Sequence, residues 1–118
     1  DRSRVYILGL SMGGVATYDI VARFPEIFAA AIPICGAVDP SRLEGVEGVS
    51  FRIFHGDADT TIPVECSRRA YRALKKSGCK VEYFEFPGCG HGSWNPAFTR
   101  EDFIDWLFKQ KKSRKYLK

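Results

Sequence analysis

Apolar positions along the chain fall into two kinds of run. Val5-Tyr6-Ile7-Leu8, Phe28 to Cys35 and Phe51 to His55 are short, continuous and rich in β-branched or aromatic residues, and they close on Gly9, Gly36 and Gly56. Runs of this length bounded by glycine predict buried strands. Pro33 inside the second run is a mild objection, because proline removes a ladder donor. Lys80 to Phe86 alternates only in part, as a strand nearer a sheet edge does. Elsewhere the period is helical. Val15, Ala16, Ile20 and Phe24 mark a helix from Met12 to about Phe24, stopped by Pro25. Ala70, Ala73 and Leu74 mark a second, opened by Pro63, favoured at its positive end by Glu65 and capped by Gly78. Phe103, Ile104, Trp106, Leu107 and Phe108 supply a third, starting at Asn95-Pro96 or Thr99 and ending near Lys109. One helical turn is expected near Ser41–Glu44.

The order strand, helix, strand, strand, helix, strand, helix predicts an α/β fold with a parallel sheet and right-handed crossovers. No apolar run approaches the roughly 18 residues of a membrane span. The sequence carries no basic-then-apolar leader, which leaves a cytoplasmic and a secreted location both open. It does not open at Met, and Asp1-Arg2-Ser3-Arg4 runs straight into a strand, so a longer protein is expected.

Charge changes the picture little. The formal net charge is +4, but the last ten residues hold six basic and no acidic groups. Residues 1–108 therefore hold 12 basic against 14 acidic groups, a net of −2. The expected organisation is one partial domain over 1–108 and a solvated basic tail over 109–118. The tail offers only Tyr116 as an aromatic, so neither a nucleic-acid surface nor a membrane contact is expected. Cys35, Cys66, Cys79 and Cys89 are spaced by 31, 13 and 10 residues, with no CxxC and no paired histidines. That spacing predicts no metal site. Buried free thiols are the ordinary outcome, with Cys79–Cys89 the candidate if a disulfide forms.

Gly9-Leu10-Ser11-Met12-Gly13 has the form G-x-S-x-G. The pattern alone recurs by chance, but here it follows an apolar strand and opens a helix, as a nucleophile elbow requires. Close backbone approach is expected to demand glycine at both 9 and 13, with Gly14 easing the packing. The helix would aim its free N–H groups at Ser11, making the Met12 N–H one oxyanion donor. A serine nucleophile needs a base and an orienting acid. His55 ends a strand and reads as a histidine satisfied locally. His91, in Gly88-Cys-Gly-His-Gly-Ser-Trp94, lies on a glycine-rich loop that can return over Ser11. The loop His55-Gly-Asp-Ala-Asp-Thr-Thr-Ile-Pro63 offers Asp57 and Asp59. One can orient the imidazole, and the other is expected to shape the loop through an Asx-type bond. A serine, then an acid, then a histidine is the chain order of α/β-hydrolases.

With these three motifs the sequence resembles the C-terminal half of α/β-hydrolase serine esterases. It looks closest to the group spanning dienelactone hydrolases, feruloyl and acetyl-xylan esterases, polyhydroxybutyrate-depolymerase-like proteins and peptidases of the prolyl-oligopeptidase type. Arg4 to Gly14 is similar to their elbow strand, His55 to Pro63 to their H-G-x-x-D-x-x-V-P acid loop, and Gly88 to Trp94 to their G-x-G-H-x-x-W loop. The resemblance selects Asp59 over Asp57 and implies a Ser11–His91–Asp59 triad acting on carboxylic esters through an acyl-enzyme, with no metal or organic cofactor. It implies about four mostly parallel strands with flanking helices. The family domain is about twice this long, so the N-terminal strands and the second oxyanion donor are expected to be missing. A small-molecule or polysaccharide-linked ester is the expected substrate. Loops after the strands place Gly36, Ala37, Thr61, Ile62 and Trp94 as candidate substrate contacts. Two readings compete: a serine peptidase of the prolyl-oligopeptidase type, and a non-catalytic fragment needing a partner chain. In either case the elbow strand is expected to present an open apolar edge, to be covered by an N-terminal segment or a second copy.

Overall fold

The structure is a computed structural model and describes residues 1–117. Strands β1 (Tyr6–Leu10), β2 (Ala30–Ile34), β3 (Ser50–Gly56) and β4 (Val81–Phe86) form one sheet in the order β1-β2-β3-β4. All three pairings are parallel. Helix α1 (Met12–Arg23) connects β1 to β2 and α2 (Glu65–Lys76) connects β3 to β4; the β2–β3 link carries a 3₁₀ turn at Pro40–Leu43, capped by Asp39. Helices α3 (Trp94–Phe98) and α4 (Phe103–Lys109) follow β4.

Period-two alternation splits the core into two layers. Ala31, Phe51 and Ile53 face Tyr18, Val21, Ala70 and Leu74 of α1 and α2. Ala30, Ile32, Ile34 and Phe54 face Ala97, Phe103 and Leu107 of α3 and α4. The sheet is therefore covered on both faces, which is why its strands read as continuous apolar runs. Pro33 sits in β2, between two partners. It pairs with Gly9 on the β1 side, while β2–β3 pairing skips Ile32 and Pro33. The missing donor falls in that gap.

Four readings are corrected or refined. The apolar stripe of α1 faces outward: Val15, Ala16, Ile20 and Phe24 are exposed, and the buried face is Gly14, Thr17, Tyr18 and Val21. The single last helix is two, with Arg100 and Asp102, both partly exposed, in the turn between them. Asp102 pairs with Arg52 at 2.9 Å, and the Arg100 guanidinium lies 4.0 Å from the Phe84 ring centroid. All four cysteines are free thiols, as expected, and the conditional Cys79–Cys89 bridge does not form. The two flank β4, whose six residues separate them by about 20 Å. Nor is the basic tail simply solvated: Lys112 is buried and its Nζ donates to Pro25 O, Phe28 O and Gly48 O at 2.9, 2.7 and 3.2 Å. The tail's last residue, Lys118, lies outside the described residues.

Candidate active site

Ser11 occupies the turn between β1 and α1 with φ 56° and ψ −119°. A non-glycine residue in this region is strained, and the surrounding bonds hold it there. Ser11 N donates to Ile34 O at 2.9 Å, while its carbonyl accepts from Gly14 N and Val15 N. A Cβ on Gly9 would stand 2.2 Å from Gly13 O, so glycine is required at 9. At Gly13 a Cβ would meet nothing within 4 Å. The expectation of two excluded side chains is thus right at 9 and wrong at 13, where the backbone itself is the obstacle. Gly14 and Gly36 pack backbone to backbone: a Cβ on Gly36 would stand 2.7 Å from the Gly14 carbonyl carbon. This contact seats the N-terminus of α1 against the end of β2.

Three loops at the C-terminal edge of the sheet converge on Ser11. His91, between β4 and α3, places Nε2 2.7 Å from Ser11 Oγ. Its Nδ1 lies 2.8 Å from Asp59 Oδ2. A carboxylate only accepts, so Nδ1 carries the proton and Nε2 accepts from the serine hydroxyl. The Trp94 ring meets His91 edge-on, 5.6 Å between centroids. Gly56 lets the histidine loop lie against β3, since a Cβ there would stand 2.2 Å from Cys89 O.

The two aspartates divide the work differently from expectation. Asp59, not Asp57, forms the Asx-type turn: its Oδ1 accepts from Thr61 N and Ile62 N at 2.8 and 2.9 Å. Asp57 Oδ1 accepts from Gly88 N at 2.7 Å and ties the acid loop to the histidine loop. The Asp59 side chain is fully buried. Burial pushes its pKa up, but the hydrogen bonds from His91, Ile62 and Thr61 outweigh burial and hold it below the usual carboxylate range.

His55 contributes support that sequence reasoning missed. It is completely buried, with Nδ1 2.6 Å from Ser67 Oγ and Nε2 2.8 Å from Ile62 O. A carbonyl only accepts, so Nε2 bears the proton, and that nitrogen also stands 3.2 Å from Asp59 Oδ2. The local satisfaction expected of His55 is therefore part of the cradle that holds Asp59. The signal was its position four residues before Asp59; Ser67, on α2, had none.

Residues 1–111 match the model of the dienelactone hydrolase family. The chain belongs to that family. It is similar to carboxylesterase SOBER1 of Arabidopsis thaliana, 27% identical over 101 residues, covering 80% of this chain and 44% of that protein. It is also similar to esterase LipC of Mycobacterium tuberculosis, 36% identical over 73 residues, covering 61% of this chain and 16% of that one. A solved thermostable esterase superposes with a TM-score of 0.91 at 42% identity, over 95% of this chain and 32% of that chain. The chain thus spans less than half the length of these relatives. As a dienelactone hydrolase family member it has the α/β-hydrolase arrangement of the strands and helices it contains.

Of the candidate substrate contacts, Ala37 lines a shallow cleft with Met12, Val15, Ala16, Val38 and Cys66. Trp94 stands against His91. The structure gives Gly36 a packing role and uses the N–H groups of Thr61 and Ile62 to hold Asp59. The Met12 side chain is exposed, and its N–H is one that helix geometry leaves without an intrahelical acceptor.

Proposed function

We propose that this chain carries the catalytic serine, histidine and aspartate of a carboxylic ester hydrolase. The supporting observation is the unbroken relay from Ser11 Oγ through His91 to Asp59, with links of 2.7 and 2.8 Å contributed by three separate loops. Ser11 Oγ attacks the ester carbonyl carbon while His91 Nε2 takes the serine proton. Asp59 keeps the proton on Nδ1 and stabilises the imidazolium that forms. The Met12 N–H and the positive end of α1 face the oxygen that gains charge. The tetrahedral intermediate expels the alcohol, which takes the proton from Nε2. Water, activated by the same nitrogen, then releases the acid and frees Ser11. The substrate is a small-molecule or polysaccharide-linked ester, with its acyl or alcohol group lying along the cleft of Met12, Ala37 and Val38.

A fluorophosphonate probe tests this reading. It should label Ser11, and Ser11→Ala should lose both labelling and ester hydrolysis. Full hydrolysis by Ser11→Ala would sink the proposal, and faster turnover of amides than of matched esters would favour the peptidase reading.

We propose also that further polypeptide, an N-terminal segment or a second copy, covers the open edge of β1 and the outer face of α1. Leu8 and Phe24, on these two surfaces, are 43% and 47% exposed.

A further inference from the structure

Cys35 follows the last residue of β2, immediately beside this relay. It is buried with no exposed surface and, with Ser11, is one of two non-glycine residues at positive φ among the described residues, at 42°. Its Sγ, a carboxylate oxygen of Asp59 and a ring nitrogen of His91 all lie within 4.8 Å of one another. A fourth polar group joins them. Ser93 Oγ is fully buried and makes no well-formed hydrogen bond, and it lies close enough to the Cys35 thiol to favour the thiolate, as the Ser11 N–H also does. A satisfied interior would not leave a buried hydroxyl idle, and this one stands beside a set of sulfur, nitrogen and oxygen donors.

We propose that Cys35, Asp59 and His91, with Ser93 at the fourth corner, form an inhibitory binding site for a thiophilic divalent cation such as Zn²⁺ or Cd²⁺. One thiolate, one imidazole and one carboxylate match the preferences of these ions and not those of Mg²⁺ or Ca²⁺. Bonds of about 2.0–2.3 Å place tetrahedral ligand atoms about 3.3–3.7 Å apart. The thiol therefore closes in by about an ångström, and the Asp59–His91 hydrogen bond opens by about half an ångström to admit the ion. Charge also balances, since the thiolate and the Asp59 carboxylate neutralise the dication in a buried site.

The steps conserve protons and electrons. Cys35 loses its thiol proton to water as the sulfur–metal bond forms, with no change of oxidation state. His91 Nδ1 gives its lone pair to the metal, and the imidazole proton moves from Nδ1 to Nε2. Nε2 then faces Ser11 as a donor and can no longer accept the serine proton. Metal binding does not depend on the hydrolase assignment; only the inhibition rests on it.

The test titrates Cd²⁺ alone into the full chain carrying Cys66→Ser and Cys89→Ser, which removes the two more accessible thiols. The readouts are the ultraviolet Cd–thiolate charge-transfer band and ester hydrolysis with and without a chelator. The band should appear and hydrolysis should fall with a common midpoint, both reversed by the chelator. Adding Cys35→Ser should abolish the band, as should, by at least a tenfold loss of affinity, His91→Gln on the solvent-facing loop. Ser11→Ala should keep the band. A band that survives both Cys35→Ser and His91→Gln overturns the site, and so does its absence from the parent. If the band depends on Cys35 while Ser11→Ala still hydrolyses esters, the hydrolase reading fails and the metal site stands.

Discussion

Asp59 is the residue on which the site turns, because its two oxygens serve two ends at once. Oδ1 fixes its own loop through Thr61 N and Ile62 N, and Oδ2 meets His91 with His55 behind it. Asp59→Asn keeps the volume but replaces an acceptor with an amide that can favour the wrong His91 tautomer. By comparison with the same change in a serine protease triad, kcat should fall by about 10⁴, with little change in KM; a loss under tenfold would remove Asp59 from the mechanism. Because its folded-state pKa is depressed, Asp59 adds stability above its unfolded pKa and loses it as pH falls through the folded value. The glycines make a sharper residue-scale test. Gly9→Ala forces a Cβ against Gly13 O and should prevent soluble expression or cost several kcal/mol. Gly13→Ala meets open space inside α1 and should stabilise by about 0.5–1 kcal/mol in urea melts. A sequence reading that treats both glycines alike predicts equal damage, so the pair separates motif from geometry. The three motifs were legible because each chemistry-bearing residue sits beside glycines at a strand end. The His55–Ser67 support was not, because it joins β3 to α2 across the fold.

At the scale of elements, the first three strands were legible from their continuous apolar runs and β4 from partial alternation, but the inward face of α1 was not. Close approach of α1 to β2 requires Gly14 there, Thr17 Oγ1 bonds to Gly13 O at 2.7 Å, and Tyr18 stacks on Phe51 at 6.3 Å. The buried side thus mixes a glycine and a threonine with Tyr18 and Val21 and shows no continuous apolar period, which belongs to the outer ridge. The docking of α2 on β4 rests on charge as well. Arg68 Nε and Nη2 donate to the two oxygens of Glu85 at 2.8 Å each, and Tyr83 Oη donates to Glu85 Oε1 at 2.6 Å. Arg68 first and Tyr83 second hold the Glu85 pKa down to about 2. The carboxylate therefore stabilises the fold above its unfolded pKa near 4.5, and that contribution is lost as pH falls through about 2. Partial exposure, 27% for the Glu85 side chain and 39% for Arg68, limits it to about 1 kcal/mol. Glu85→Gln should lower stability at pH 7 by that amount and converge with the parent near pH 2, as thermal melts across this range would show. Equal differences at both ends would remove the ion pair from the account.

For the whole molecule, the last turn and the open edge pull in opposite directions. The tail straps the body: Lys112 N donates to Ser3 O at 2.7 Å, and its ammonium fills a cradle of three carbonyls. Lys112→Met leaves those carbonyls without a donor and should cost about 2 kcal/mol. Composition could not show this, because six cations in ten residues read as a solvated run. The opposite side presents an open edge. β1 is the outer strand, and Met12, Ala16, Ile20 and Phe24 follow i, i+4 spacing along the exposed ridge of α1. Leu8 and Ile27, both more than 40% exposed, extend the apolar surface. An unpaired strand edge beside apolar surface is a template for association. The 118-residue chain alone should therefore run larger than a monomer in light scattering after gel filtration at micromolar concentration. Ile20→Glu with Phe24→Glu should shift it toward monomer without disturbing Ser11, whose turn lies at the other end of α1. A wild-type chain that stays monomeric and melts cooperatively would show that this face needs no cover, and the proposal of covering polypeptide would fall with it.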